Sequence, residues 1–352
     1  MNRLISTLKQ ALLGESSDDR LTRKAVVTGS ITAGALVTSL VLRSMRRKPR
    51  PVDQLLPALK ANVHDMEIME GRYRFYAREG TGVPIVLLHG IGVAASSFEM
   101  KPLFEHFCSV TTRPVFAVDW IGFGLSDRPA VPYRPSVFHR QLRRFLSERI
   151  HQPADVVALS LGCEFAAVTS RSHPFLFRRL IFISPTGLSS EGYYRPMRRS
   201  AVHAAQAAGI FEAVFERIAT DDALRRHYQR AVFGDERLIP PELLAYASQT
   251  CRVEGAHHAV AAFLSGDLFS HDVAFDAYSS VSMPVLLTVP VNAQNLSRSF
   301  DLLSEVKMRN PDHLRILRAR GGTMPHWTRP EEVLDAVTSF LTIPDPLTAF
   351  DN

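Results

Sequence analysis

One stretch constrains this chain more than any other. Asp155-Val156-Val157-Ala158-Leu159 is an apolar run of strand length that drives straight into Ser160. Leu161-Gly162 follows, and Cys163–Val168 is helix-competent. A strand, a sharp turn and a helix are therefore expected, with a hydroxyl at the apex. Residues two before and two after the serine are small, Ala158 and Gly162, so strand and helix can approach closely. Such a turn forces the serine into a strained backbone conformation and lifts its oxygen clear of the sheet. The spacing is that of G-x-S-x-G with Ala158 at the first position. A serine at this junction can also be a plain helix N-cap.

The segments on either side decide what the turn belongs to. Val83–Leu88 and Pro114–Asp119 read as strands buried on both faces, and Arg179–Ser184, Met283–Val289 and His313–Ala319 as further strands. Helices are expected between them over about Ala95–Phe107, Ser136–Ile150, Ser297–Lys307 and Glu331–Leu341. His64–Glu70 and Arg72–Ala77 read as a hairpin. Alternation at this spacing implies an α/β fold with a mainly parallel central sheet flanked by helices. Residues 189–280 break the rhythm: Tyr193–Phe233 and Pro241–Leu264 read as helices, a cap inserted into the sheet. The expected organisation is a basic N-terminal segment 1–50, a linker 51–63, a core in two parts (64–188 and 281–343) around the cap 189–280, and a tail 344–352.

Charge narrows the partners. The net charge of +6 is carried by residues 1–50, at +7, so the body is close to neutral and nucleic-acid binding is not expected. Residues 25–42 are uncharged and flanked by Arg/Lys clusters, at the lower length limit for a membrane span. The expectation is attachment to a membrane lipid surface by this helix, with a cytoplasmic body. Three scattered cysteines, Cys108, Cys163 and Cys251, read as free thiols, and neither a metal nor a cofactor is expected.

Four stretches occur in order: Leu87-Leu88-His89-Gly90-Ile91-Gly92, Asp119…Gly122-Phe123-Gly124-Leu125-Ser126, Ala158–Gly162, and Pro325-His326-Trp327…Arg329-Pro330-Glu331-Glu332-Val333. Together they resemble the α/β-hydrolase superfamily in its esterase, lipase and C–C hydrolase branch, over about residues 64–343. The resemblance implies Ser160 as nucleophile and the backbone N–H groups of Ile91 and Leu161 as the oxyanion hole. It implies His89 as a brace of its loop and Asp119 as a structural turn residue. Dehalogenase and epoxide-hydrolase chemistry would place Asp where Ser160 stands.

The remainder of the triad departs from the pattern. Thr323 stands where the base is usual, and His326 follows three residues later. Ala293 stands where the acid is usual, with Asn292 adjacent and Asp301 the next acid. One reading is a serine hydrolase in which His326 is a displaced base backed by Asn292, Asp301 or a cap residue, acting on a small lipophilic ester or acyl substrate. The other is a fold that has lost catalysis and serves as a ligand-binding or protein-interaction module. The cap histidines His203, His227, His257 and His258 are expected on solvated or satisfied faces, and the cap aromatics, Phe211 and Tyr228 among them, mostly in the cap's own core.

Overall fold

The computed structural model describes residues 52, 54–190, 196–290 and 300–343. The expected membrane segment 25–42 lies outside them, as do Asn292 and Ala293. Among the described residues no helix is long and apolar enough to cross a membrane.

Eight strands form one sheet: β1 (Asn62–Ile68), β2 (Gly71–Arg78), β3 (Ile85–Leu88), β4 (Val115–Val118), β5 (Ala154–Leu159), β6 (Phe177–Ile183), β7 (Val285–Pro290) and β8 (Leu314–Ala319). Their order is β1-β2-β4-β3-β5-β6-β7-β8. β1 and β2 pair antiparallel, β2 meets β4 antiparallel, and every later pairing is parallel. The central strands β3, β4 and β5 are buried at every position, which is why they read as unbroken apolar runs rather than alternating ones. Asp155 is the exception on β5. Its carboxylate is fully buried and held by Arg113 and by Arg178, whose Nε donates at 2.8 Å.

The flanking helices are α1 (Lys101–Val110), α2 (Pro135–Phe145) and α3 (Leu161–Ser172). α1 begins later than its apolar pattern because Pro102 cannot lie inside a helix. The preceding turn, Ser97–Met100, is 3-10, and this difference places Glu99 beside the β3 loop. Between β6 and β7 the described chain is helical: α4 (Pro196–Ala207), α5 (Phe211–Ile218), α6 (Asp221–His227), α7 (Pro241–Thr250), α8 (Ala256–Ser265) and the short α9 (Val273–Asp276). The long helical stretches expected there are cut at Gly209 and Gly255, both at positive φ, and at Thr220, whose side chain caps α6. Phe211, Phe215, Tyr228, Phe233 and Tyr246 are buried in the cap's contacts.

The C-terminal part adds α10 (Leu303–Arg309), α11 (Pro325–Thr328) and α12 (Pro330–Thr342). Buried Arg179 of β6 ties down the end of α12 by donating to the Leu341 carbonyl at 3.1 Å and to that of Ile343. The approach segment before β1 is docked rather than separate: Ala58 N–H donates to the Tyr76 hydroxyl at 2.9 Å, and the Tyr246 hydroxyl donates to the Leu56 carbonyl at 2.8 Å.

Candidate active site

Ser160 sits at φ 52°, ψ −123°, between the end of β5 and the start of α3. A non-glycine residue there costs about 1–3 kcal/mol, which the surroundings must hold. They do so by backbone bonds: Ser160 N–H donates to the Ile183 carbonyl at 2.9 Å, and its carbonyl accepts from Cys163 N–H at 3.0 Å. Gly162 makes the turn possible, since a Cβ there would stand 2.7 Å from the His89 carbonyl oxygen. Ala158 causes no such conflict; its methyl is fully buried in β5. The side chain of Ser160 is half-buried and lines a cavity of about 90 Å³.

The loop after β3 forms the opposite wall. His89 is buried and locked in one tautomer. Its Nε2 accepts from Trp120 N–H at 3.1 Å, so Nδ1 carries the proton and donates to the Gly90 carbonyl at 2.6 Å. Burial lowers its pKa to about 4, keeping it neutral as a brace. Asp119 accepts from Leu125 N–H and Ser97 N–H, both at 2.8 Å, and so knits the Gly122–Ser126 turn to the start of the Ser97–Met100 turn. Gly124, at φ 53°, leaves room for that carboxylate: a Cβ would fall 2.1 Å from it. The N–H groups of Ile91 and Leu161 have no partner among the described residues, and both residues flank the cavity or its serine. Two unpartnered donors, one on the cavity wall and one next to the serine, are the kind of group that would suit the oxyanion formed on attack at a carbonyl.

Neither His326 nor Asp301 is hydrogen-bonded to Ser160. His326 is fully buried, and its Nε2 donates to the backbone carbonyl of Glu99 at 2.8 Å. Its Nδ1 is buried without a partner, and burial lowers its pKa to about 4. It does not line the Ser160 cavity. Asp301 is exposed at the surface and accepts from Ser190 N–H at 2.9 Å and from the Ser190 hydroxyl, bonds that lower its pKa. Thr323, in the position usual for the base, does line the cavity, but its hydroxyl donates to the Ala231 carbonyl at 3.2 Å. Beside it a Cβ on Gly322 would overlap the Val232 carbonyl at 1.7 Å. The last loop therefore docks the cap segment following α6.

Two other groups line the cavity: Glu99, which the sequence did not single out, and His227, expected only on a solvated or satisfied face. Glu99 Oε2 accepts from Gly90 N–H at 2.9 Å. Desolvation raises its pKa to about 8, outweighing the Gly90 bond, and Asp119 nearby adds to the rise. The sequence does carry a signal for it, because Glu99 is the sole Asp, Glu, Lys or Arg between Glu79 and Lys101. His227 lies at the end of α6. It is exposed as a residue, yet the surrounding protein lowers its pKa by desolvation. No acid lies within ion-pair distance of His227 among the described residues. Nothing in its sequence neighbourhood distinguishes it from the other cap histidines, since only the cap's docking places it.

Residues 85–336 match the family model described as the alpha/beta hydrolase family. The chain belongs to the alpha/beta hydrolase family. A 2-hydroxymuconate semialdehyde hydrolase from Pseudomonas putida is 33% identical over 125 residues, 35% of this chain and 44% of that enzyme. The match thus spans less than half of that relative's length. An (E)-2-((N-methylformamido)methylene)succinate hydrolase from Acinetobacter baylyi is 24% identical over 291 residues, 78% of this chain and 97% of that one. The crystal structure of carboxylesterase CesB from Bacillus subtilis superposes with a TM-score of 0.61 at 19% identity, covering 89% of this chain and 99% of that chain. At that identity the likeness is one of fold. As an alpha/beta hydrolase, the chain keeps the strand–serine–helix elbow and the glycine-rich loop after β3, and departs in the loop that carries Thr323.

Proposed function

We propose that this alpha/beta hydrolase is a serine hydrolase cleaving an ester or related acyl compound through an acyl-enzyme on Ser160. The observation that carries this reading is the half-buried serine at positive φ, flanked by the N–H groups of Ile91 and Leu161 that have no partner among the described residues. Each oxyanion donor is worth about 3 kcal/mol to a transition state. Hydrolase relatives and the esterase fold likeness support the reaction class. The cavity at the serine has the space of roughly three water molecules. That favours a short acyl group at the reacting end, since the cap aromatics are mostly spent on packing. The basic segment 1–50 supports work at a membrane surface; full-length chain should float with anionic vesicles, and chain lacking residues 1–50 should not.

The deciding experiment is labelling with a fluorophosphonate probe. Ser160→Ala should abolish labelling of an otherwise folded protein. If wild-type chain labels no faster than Ser160→Ala, the serine-hydrolase reading falls and the ligand-binding alternative takes its place.

A further inference from the structure

The elbow and the loop after β3 are present, yet neither Thr323, in the usual base position, nor His326 is hydrogen-bonded to the serine, and His326 does not line its cavity. A serine hydroxyl without a proton acceptor is a poor nucleophile. Three other titratable side chains line its cavity: Glu99, His227 and Tyr228. Tyr228 is excluded as a base near neutral pH, because burial and the neighbouring Glu99 hold its pKa well above the ordinary value. Among the described residues His227 has no orienting acid. Glu99 is the group the fold fixes in place.

We infer that Glu99 is the general base for Ser160, a single carboxylate standing in for the missing histidine and acid, with His326 and Trp327 as its positioning residues. This rests on the serine-hydrolase reading above. The geometry centres on Gly90. Both Glu99 Oε2 and Ser160 Cβ lie 3.3 Å from where a Gly90 Cβ would sit, so the two are no more than about 6.6 Å apart on the wall of one cavity. Glu99 is held at its backbone and at one carboxyl oxygen. Its N–H donates to the Ser96 carbonyl at 3.0 Å, and Oε2 accepts from Gly90 N–H at 2.9 Å. Its carbonyl accepts from His326 Nε2 at 2.8 Å and Trp327 Nε1 at 2.7 Å. Oε1 has no partner among the described residues and belongs to a side chain lining the cavity. Preorganisation of this kind is what a catalytic group requires. The Pro325-His326-Trp327 segment thus acts through Glu99 rather than on the serine.

The step balances without a further reagent. Glu99 takes the hydroxyl proton as Ser160 Oγ bonds to the carbonyl carbon, and the C=O electron pair moves onto oxygen. Collapse breaks the bond to the leaving alkoxide, which takes the proton from Glu99. Water then gives its proton to Glu99 as its oxygen adds to the acyl carbon. The second collapse releases the acid, and the serine oxygen recovers the proton. In each tetrahedral state Glu99 is neutral and the substrate oxygen is negative. One negative charge therefore moves within the site, towards the Ile91 and Leu161 N–H groups, and no second is created. Burial suits this cycle, since a carboxyl with its pKa raised to about 8 is a far stronger base than an exposed one.

The groups facing Glu99 are Ser160 on the elbow, His227 and Tyr228 on the cap, Asp119 after β4, and His326 behind its carbonyl. His326 titrates near pH 4, His227 below its ordinary range and Tyr228 well above its own. Between pH 6.5 and 9 Glu99 is therefore the group among them expected to change charge.

The test is the rate of fluorophosphonate labelling against pH in full-length protein. Wild type should rise to a plateau with a midpoint near pH 8. Glu99→Gln, whose amide oxygen can still accept from Gly90 N–H, should unfold as cooperatively as wild type. Its labelling should fall about 10²-fold or more and lose the pH midpoint. His227→Gln should keep the midpoint. Labelling of Glu99→Gln at the wild-type rate, or loss of the midpoint in His227→Gln alone, overturns the assignment while Ser160-dependent labelling upholds the hydrolase reading. Absence of Ser160-dependent labelling in wild type removes both.

Discussion

Replacing Gly162 by alanine tests whether the elbow is built by contact rather than by helix propensity. Gly162 lies in the first turn of α3, where alanine alone would gain about 0.5–1 kcal/mol over glycine. Against this, the new Cβ would stand 2.7 Å from the His89 carbonyl oxygen. That oxygen cannot easily give way, because it accepts from Trp120 Nε1 at 2.9 Å and belongs to the end of the oxyanion loop. Overpacking of this kind costs about 1–3 kcal/mol, so the net expectation is a loss of about 1–2 kcal/mol. Elbow and loop must also part by several tenths of an ångström, which spoils the aim of Ser160 relative to the Ile91 N–H. A misplacement of that order is expected to slow labelling about tenfold. Gly92→Ala is the stability control, since a Cβ there meets nothing within 4 Å. Denaturant unfolding and fluorophosphonate labelling would be measured on both variants. The reasoning is refuted if Gly162→Ala is as stable as Gly92→Ala and labels at the wild-type rate.

Asp155→Asn leaves the guanidinium groups of Arg113 and Arg178 facing a neutral amide in the sheet; a loss of about 3 kcal/mol is expected, read as a lower denaturation midpoint at unchanged m-value. His89 and His326 are both neutral in the fold with pKa values lowered to about 4, while the unfolded chain protonates near 6.5. Stability should therefore fall as pH drops from about 6.5 towards 4, by about 1.4 kcal/mol per unit for each histidine, which thermal melts would show. Glu99 has the opposite sign. Its raised pKa means that the fold holds a proton which the unfolded chain has released above about 4.5, so its contribution is lost as pH rises towards 8. Glu99→Gln should accordingly lose less stability than wild type between pH 6.5 and 8.

The buried strands were legible because burial on both faces favours apolar residues, and β3, β4 and, Asp155 apart, β5 show it in their composition. The elbow was legible for a local reason: strand, serine, glycine and helix are contiguous. Boundaries were less so where proline intervenes. The expected helix over Ala95–Phe107 is in fact a 3-10 turn followed by α1, and that break carries Glu99 to the cavity wall. The reading of His326 as a displaced base came from its place in a motif, whereas the structure gives its Nε2 to a backbone carbonyl.

What the sequence by itself determined is the α/β architecture, the strand–serine–helix turn and the glycine-rich loop after β3, since each is a short-range pattern of apolar runs and small residues. What only the tertiary structure decided is which side chains share the serine's cavity. Glu99 and His227 lie 61 residues before and 67 after Ser160. Their meeting depends on the β3–β5 pairing and on the docking of the cap against the last loop. No local periodicity encodes such a meeting, because it follows from how whole layers pack.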